Sequence, residues 1–286
     1  MSAGERGGRR GPAVVLLLTT SVLLAACSAS PAPTSAPTST PTSTTRAPAP
    51  GGSAATARSW GAPSWSDEFS GSSVGRAWGR YDGPGNDGNG VRRPSQVAVA
   101  GGVLTESGTS DAVSAGMALK GHDAVTGRWE VRARADGSAG PGAAYRVTVA
   151  LIPTAVPYAS GERDVDVLQA DVGTTTANFF LHHPPGKQDY AATTVDLNGW
   201  HTYAVEIAPD HVTWFVDGNP IVTDLDPAAV PTTPASLAVQ LDATAPGGMV
   251  PARLQPDWAR YYPLPAPSVP VPSAPAPQTG DYDPAS

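Results

Sequence analysis

Apolar and polar residues alternate in short runs through the middle of the chain, and Gly, Pro, Asn and Asp separate the runs. A period of two is typical of strands with one buried face, and frequent turn residues favour an antiparallel sandwich. A hairpin is predicted where Asp217-Gly218 separates two apolar runs, because glycine readily adopts positive φ. Helical periodicity is nearly absent, so we predict an all-β fold. Ten strands are predicted, at 96–99, 102–106, 127–135, 145–151, 165–169, 177–182, 200–207, 211–216, 236–242 and 256–262.

Residues 1–27 differ in kind from this middle. Three arginines among the first ten residues precede an apolar run at 13–26, and the sequence LAAC occupies 24–27. The run is shorter than a membrane span of about 20 residues, and its basic flank and small-residue end are typical of an export signal. This leader is similar to a bacterial lipoprotein signal with its lipobox. Cys27 is the only cysteine of the chain, so no internal disulfide can form and we expect it to carry lipid.

Two low-complexity segments enclose a single predicted domain. Residues 28–62 consist mainly of Ser, Thr, Pro and Ala, and residues 265–286 repeat Pro-Ala-Pro. Such segments bury too little apolar surface to offset the entropy lost on ordering, so we predict a disordered linker and a disordered tail. Residues 63–264 between them suffice for one all-β domain with a substantial core.

The charge of the chain limits the classes of partner that it can be expected to bind. The net charge is -7 and the pI is about 5.1, and no cluster of Lys and Arg occurs outside the leader, which argues against nucleic acid. An acidic surface gains nothing from anionic lipid, so membrane association is expected to rest on the lipid anchor. We expect an exported monomer at the outer face of the cell membrane, or a secreted one. Arg128, Arg132 and Arg134 are predicted to lie on solvated strand faces.

The strongest candidate for chemistry is GERDVDVLQ at 161–169, which reads as a strand carrying a row of acids. In a regular strand Glu162, Asp164 and Asp166 would share one face. That register turns Arg163 toward the core, where an unpaired charge is costly. The plain alternative is that the acids merely solvate an exposed strand face.

A second register includes a β-bulge. Here the strand starts at Asp164, and the bulge after Val167 brings Gln169 onto the face of Asp164 and Asp166. Arg163 then lies at the mouth of the strand. The two registers differ in which side chains face a cleft, and therefore in whether two carboxyl groups or a carboxyl and an amide meet there.

Eight short motifs follow one another along the chain: WSDEF at 65–69, YDGPG at 81–85, GNG at 88–90, GRWEVR at 127–132, NFFLH at 178–182, WHTYAVE at 200–206, WFVDG at 214–218 and DWARYY at 257–262. This ordered series covers almost all of residues 63–264 and resembles glycoside hydrolase family 16. The resemblance implies a concanavalin A-like β-jelly roll whose concave sheet forms a groove for a β-glucan or a related polysaccharide.

The resemblance also implies retaining hydrolysis by a Glu-x-Asp-x-x-Glu motif, with a nucleophile, its helper and an acid/base in that order. In the bulged register these positions fall on Asp164, Asp166 and Gln169, so only the helper keeps the family residue. Asp164 is about 1.5 Å shorter than Glu, at a kind of site where about 1 Å can cost about a hundredfold. Gln169 cannot exchange a proton as a carboxyl does. Ile152 stands where the family usually has a Trp, which removes a stacking surface.

Some family members use an unbulged Glu-x-Asp-x-Glu motif. It would make Glu162 the nucleophile, Asp164 the helper and Asp166 a shortened acid/base, and like charge could raise one pKa into the range of an acid. Three functions are therefore considered. We favour a glycan-binding domain with weak or lost hydrolysis over an active retaining endo-β-glycosidase that uses these three acids, and over a structural envelope protein without catalysis.

Further glycan contacts are expected around the groove. His182 occupies a position where the family has a groove histidine, and Gln240 falls on a strand that lines the groove in the family. Trp78, Tyr81 and Tyr158 lie in loop-like surroundings and are candidates for stacking on sugar rings. Asp82, Asn86 and Asp87 lie in an acidic, Gly-rich loop that could hold calcium, although an ordinary turn explains the cluster better. No other spacing typical of metal ligands is present, and neither a metal nor a cofactor is expected.

Overall fold

The computed structural model describes residues 52–138, 140–155, 163–264 and 269–283, all within one compact unit, Ala47–Ser286. The predicted leader, including Cys27, and the first part of the predicted linker lie outside the described residues. Within the described ranges, no helix has the length and apolar character needed to span a membrane.

Nearly all of the regular structure is β-strand. One short helix, α1, spans Ala54–Ala57, and 3-10 turns occupy Asn86–Gly88 and Pro94–Gln96. The strands are β1 (Trp65–Asp67), β2 (Trp78–Arg80), β3 (Gly83–Pro84), β4 (Val91–Arg92), β5 (Val97–Ala100), β6 (Val103–Gly108), β7 (Val113–Leu119), β8 (Gly127–Gly137), β9 (Tyr145–Pro153), β10 (Val165–Asp171), β11 (Thr176–His183), β12 (Lys187–Thr194), β13 (His201–Ala208), β14 (His211–Val216), β15 (Asn219–Asp224), β16 (Ala235–Ala243), β17 (Ala252–Tyr262) and β18 (Gln278–Asp281).

The strands form two packed sheets. The first sheet has the order β15-β14-β13-β8-β17-β6-β5, with β1 beside β17. The second has the order β18-β12-β11-β10-β9-β16-β7-β4-β3, with β2 beside β7. Strands β4 and β7 are parallel, whereas the long strands of both sheets pair antiparallel. The all-β sandwich predicted from the alternation is confirmed.

The hydrophobic core lies between the two sheets, because alternate residues of each strand point there. On β8, Trp129, Val131 and Ala133 belong to this core, and the residues between them face outward. Each large side chain that is fully buried contributes about 1.5–3 kcal/mol. The core therefore fixes which face of each strand is left for chemistry.

All ten predicted strands are present, with bounds that differ by a few residues. The alternation does not predict β7, β12 or β18. Strand β7 reads VSAGMAL and β12 reads KQDYAATT, so small and polar residues dilute the apolar signal. Neither segment has the Val, Ile and aromatic content that identifies a strand from sequence alone.

Residues 52–62 are ordered, in contrast to the disorder predicted for this part of the linker. The hydroxyl of Ser53 and the next backbone amide donate to the carboxylate of Glu130 at 2.8 and 2.5 Å, on the outer face of the first sheet. Trp60 packs edge-on against Phe215, with ring centres 5.6 Å apart. The composition cannot reveal this docking, because its partners lie far away in the sequence.

The described part of the predicted tail, residues 269–283, is also ordered. Val269 is buried, and the amide of Thr223 donates to the carbonyl of Pro275 at 2.9 Å. Farther on, β18 adds itself to the edge strand β12. The prediction of a fully disordered tail is wrong for these residues, because hydrogen bonds to β12 and β15, which the composition does not reveal, hold them.

The outward-facing arginines of β8 are not solvated as predicted. Arg128 pairs with Glu206 at 2.5 Å, and Arg132 pairs with Asp257. Both arginines are buried on the outer face of the first sheet, whereas Arg134 is half-buried. Opposite charges on neighbouring strands, which the sequence does not align, explain the difference.

Candidate functional site

Strand β10 contains a β-bulge at Val167 and Leu168. The pairing moves by one residue between Asp166 and Leu168 against β9, and between Asp166 and Gln169 against β11. Val167 and Leu168 are both buried in the core, so Asp166 and Gln169 come to lie together on the outer face of the second sheet. The bulged register predicted from the sequence is confirmed.

The bulge brings three polar side chains together at the centre of this outer face, which we call the groove. Gln169 Nε2 donates to Asp166 Oδ2 at 3.5 Å, and His182 Nε2 lies 3.8 Å from the same oxygen. Only 4–7% of the surface of each of these residues is exposed. Trp214 on β14 donates its indole N–H to the backbone oxygen of Asp166 at 2.9 Å, which holds the bulge from across the core.

The chain is not a regular strand on the N-terminal side of Asp166. Strand β10 begins at Val165, and Arg163 has a φ of 68°, in the left-handed region. A regular strand that runs without a break through Arg163 and Asp164, as the alternative register requires, is therefore not present. Asp164 is half-buried, and the side chain of Glu162 lies outside the described residues.

A polar cluster lies on the groove two strands away from the bulge. Arg92 donates from Nη2 to Gln240 Oε1 at 2.6 Å and from Nε to Asp242 Oδ1 at 3.1 Å. Its guanidinium carbon lies 5.2 Å from the centre of the Tyr81 ring. That ring rests on Gly116, where an added Cβ would come within 2.6 Å of Tyr81 Cδ2. The glycine thus allows Tyr81 to lie against the sheet, and the predicted contacts Tyr81 and Gln240 are brought together.

Burial perturbs the titration of this cluster. It raises the pKa of Tyr81 to about 12. It also raises the pKa of Asp242, although the charge of Arg92 acts in the opposite direction. Glu106 is fully buried on the core side of β6, and burial followed by the charge of Asp242 raises its pKa well above the usual range. Sequence reasoning missed Glu106 and Asp242, because a buried acid has the same sequence signal as a solvated one.

An aromatic patch, formed by Phe180, His182, Tyr190 and Tyr282, borders the groove on the other side of the bulge. Phe180 stacks with His182 at 5.8 Å between ring centres and with Tyr190 at 6.3 Å. Tyr282 meets His182 edge-on, at 5.1 Å and 84°. Only His182 was predicted. The alternation of NFFLH at 178–182 could have identified Phe180, whereas Tyr282 carries no local signal.

One of the other predicted contacts, Trp78, does not join the groove. Trp78 is 4% exposed and donates its indole N–H to Asp67 Oδ2 at 2.9 Å, so its prediction as a sugar-stacking residue is wrong. Its partner lies on another segment and turns the ring into the core. Ile152 is half-buried and follows the residue that pairs with Val165, which places it near the start of β10. Tyr158 lies outside the described residues.

Many acidic side chains in the described ranges form ion pairs with basic side chains. No three side chains of His, Cys, Asp or Glu are grouped there as a metal ion would require. In the loop at 82–90, Asp82 pairs with Arg93 at 2.9 Å.

Comparison with known proteins places this geometry in a family. Residues 104–260, more than half of the chain, match the model of "Glycosyl hydrolases family 16". No match to the chain was found among curated protein sequences.

Solved structures share the fold. The laminarinase from Rhodothermus marinus is 22% identical, with 70% of this chain and 96% of that chain covered and a TM-score of 0.61. The laminarinase catalytic domain from Thermotoga maritima MSB8 is 19% identical, with 72% and 99% covered and a TM-score of 0.63. The Bacillus licheniformis β-glucanase is 18% identical, with 71% and 99% covered and a TM-score of 0.59. The β-jelly-roll sandwich that the resemblance implied is confirmed.

Proposed function

The chain belongs to glycoside hydrolase family 16, and on this basis we propose that its groove binds a β-linked polysaccharide of the β-glucan class and hydrolyses it weakly or not at all. One observation supports the proposal: Gln169, to which the resemblance assigns the acid/base position, lies with its amide nitrogen 3.5 Å from Asp166 Oδ2. An amide cannot protonate a leaving glycosidic oxygen or take a proton from water. The loss of a general acid alone costs about 10²–10⁴-fold in rate.

A second departure lies at the nucleophile position. Asp164 is one methylene shorter than the Glu of the family motif, and the left-handed backbone at Arg163 fixes where the strand begins. Retaining hydrolysis needs two carboxyl groups at a set separation. Here the acid/base carboxyl is replaced by the amide of Gln169, and the nucleophile carboxyl of Asp164 is shorter than that of Glu. Both proton transfer and nucleophilic attack are therefore weakened.

The groove still carries polar side chains and aromatic rings that are suited to binding a glycan. Arg92, Gln240 and Asp242 place donors and acceptors on one side of Asp166, and aromatic rings lie on the other side. Binding sites for small molecules typically combine aromatic lining with a few placed polar groups. Neighbours in the fold are named endo-β-1,3-glucanase and β-glucanase, which supports this substrate class for the groove.

We also propose that the chain is exported and held at the outer face of the cell membrane by lipid on Cys27. The support is the sequence of the leader, with its basic start, short apolar run and LAAC at 24–27. Cys27→Ser is expected to move the protein from the membrane fraction to the soluble fraction. Unchanged membrane association of this variant would contradict the anchor.

The test of function measures binding and turnover on the same protein. The purified chain is run in native gels that contain β-1,3-, β-1,4- or mixed-linkage glucan or a galactan, and reducing ends are measured after incubation with each polymer. We expect retardation by at least one β-glucan and little or no release of reducing ends. Tyr81→Ala is expected to weaken retardation, and Arg253→Ala, an exposed change on the first sheet, to leave it unchanged.

Each other outcome selects a different function. Turnover by the parent at rates of ordinary glucanases, abolished in Glu162→Gln, would show an active glycosidase and refute the binding proposal. Neither retardation nor release by any polymer, from a folded protein, would point to a structural envelope protein.

A further inference from the structure

The C-terminal segment, residues 278–283, extends the sheet that carries the groove. Strand β18 pairs antiparallel with β12, from Lys187 opposite Asp281 to Tyr190 opposite Gln278. Side chains repeat the attachment, because the Tyr190 hydroxyl donates to Gln278 Oε1 at 3.1 Å and the Lys187 ammonium pairs with Asp281 at 2.5 Å. An edge strand that would otherwise be open is thus covered.

The next two residues leave the strand and turn toward the groove. The Tyr282 amide donates to the Gly186 carbonyl at 2.8 Å, and the Asp283 amide donates to Gln188 Oε1 at 3.1 Å. These bonds fix the backbone on both sides of the Tyr282 ring. The ring is half-buried and meets His182 edge-on at 5.1 Å.

We infer that Tyr282 is a glycan-contacting residue, supplied by the C-terminal segment to complete the aromatic patch with Phe180, His182 and Tyr190. His182 joins the patch to the motif, since its Nε2 lies 3.8 Å from Asp166 Oδ2. A sugar ring bound beside Asp166 on this side would meet the Tyr282 ring. Aromatic rings give large contact areas at low entropic cost and can add a hydroxyl contact. The inference rests on the proposed function, because it names a residue of that same groove.

The segment could act in the opposite sense if its main effect were to cover the groove. A covering strap would lower affinity, and its removal would raise it. The half-exposed ring and its fixed backbone favour a wall that stays in place. A strap that must open for each ligand would lose its pairing with β12, its side-chain bonds to Lys187 and Tyr190, and its backbone bond to Gly186. The sign of the change in affinity therefore separates the two roles.

The experiment compares three variants of the full chain with the parent, using soluble β-1,3-glucan and mixed-linkage β-glucan as probes in affinity gels and calorimetry. Tyr282→Ala is expected to weaken binding of the probe that the parent binds best by about tenfold, which corresponds to about 1.4 kcal/mol. Tyr282→Phe keeps the ring and is expected to stay within about threefold of the parent, a difference of under about 0.7 kcal/mol. Asp281→Ala removes an exposed ion pair of the same strand and is expected to leave affinity unchanged.

A chain that ends at Pro277 provides the second measurement, because it removes the whole segment. It is expected to lose at least as much affinity as Tyr282→Ala, with a melting temperature that shows a folded domain. Unchanged or tighter binding in either variant overturns the inference while leaving the proposed function intact. A parent that binds no probe overturns the proposed function itself.

Discussion

Restoring the two family carboxyls, with Asp164→Glu and Gln169→Glu in one protein, is expected to convert the groove into a working glycosidase site. The bulge already places position 169 on the same face as Asp166, with the amide nitrogen 3.5 Å from Asp166 Oδ2. A carboxyl in that place would face a carboxylate at close range. Two like charges about 4 Å apart repel by about 4 kcal/mol at an effective dielectric constant of about 20.

That repulsion sets the protonation of the new acid. Since each pKa unit corresponds to about 1.4 kcal/mol, the new carboxyl is expected to hold its proton to about pH 7, as a general acid must. General acid catalysis adds about 10²–10⁴-fold, and about 1 Å of better reach at position 164 adds up to about a hundredfold. Because groups that act as a unit are not additive, the double variant should exceed the product of the two single gains.

The assay is reducing-end release from the β-glucan that the parent binds, measured across pH, with the anomeric form of the first product followed by NMR. We expect release at least about 10⁴-fold above the parent, an acidic optimum and retention of configuration. Gln240→Glu is the matched control, because it adds a carboxyl elsewhere on the same buried face and should add no rate. A folded double variant that binds the glucan as the parent does, but releases no more than the parent, would refute the assignment of Asp164 and Gln169 to the motif.

Two further predictions concern stability. Asp257→Ala leaves Arg132 buried without its carboxylate, so the free energy of unfolding in urea is expected to fall by about 3–5 kcal/mol. The double variant Arg132→Met/Asp257→Leu is expected to lose less stability, because it leaves no unpaired buried charge. A loss below about 1 kcal/mol for Asp257→Ala would contradict the role of the pair. Burial, with the charge of Asp189, raises the pKa of Asp224 from 3.8 to about 6, so the folded state favours the protonated acid and loses stability as pH rises through that range. Asp224→Asn is therefore expected to raise the melting temperature at pH 8 and to change it little at pH 3.5, and a larger gain at the lower pH would count against this reasoning.

The sequence left two registers of β10 open, and the core decides for the bulged one. Val165, Val167 and Leu168 must all reach the core, and a regular strand cannot place the last two on one face. Asp166 and Gln169 then fall together by geometry.

Trp78 shows the limit of inference from neighbouring residues. The residues around it in the sequence are typical of a loop, yet its indole N–H donates to Asp67 and its ring packs in the core. The partner that decides the matter lies on another segment. The role of Tyr282 could not be predicted for a related reason. The composition around it is rich in Pro and Ala, which gives no sign of a strand that pairs with the backbone of β12.

The position of the N-terminal segment has a consequence for how the domain would be loaded. Ser53 is bonded to Glu130 on the outer face of the first sheet, whereas the groove occupies the outer face of the second sheet. Residue 52, the first described residue of this segment, therefore lies on the face opposite the groove. A pull applied at residue 52 would therefore act first on the first sheet, where Ser53 and the next backbone amide are bonded to Glu130 of β8, and would reach the groove only across the core. The buried ion pairs of Arg128 and Arg132 lie on the same strand β8.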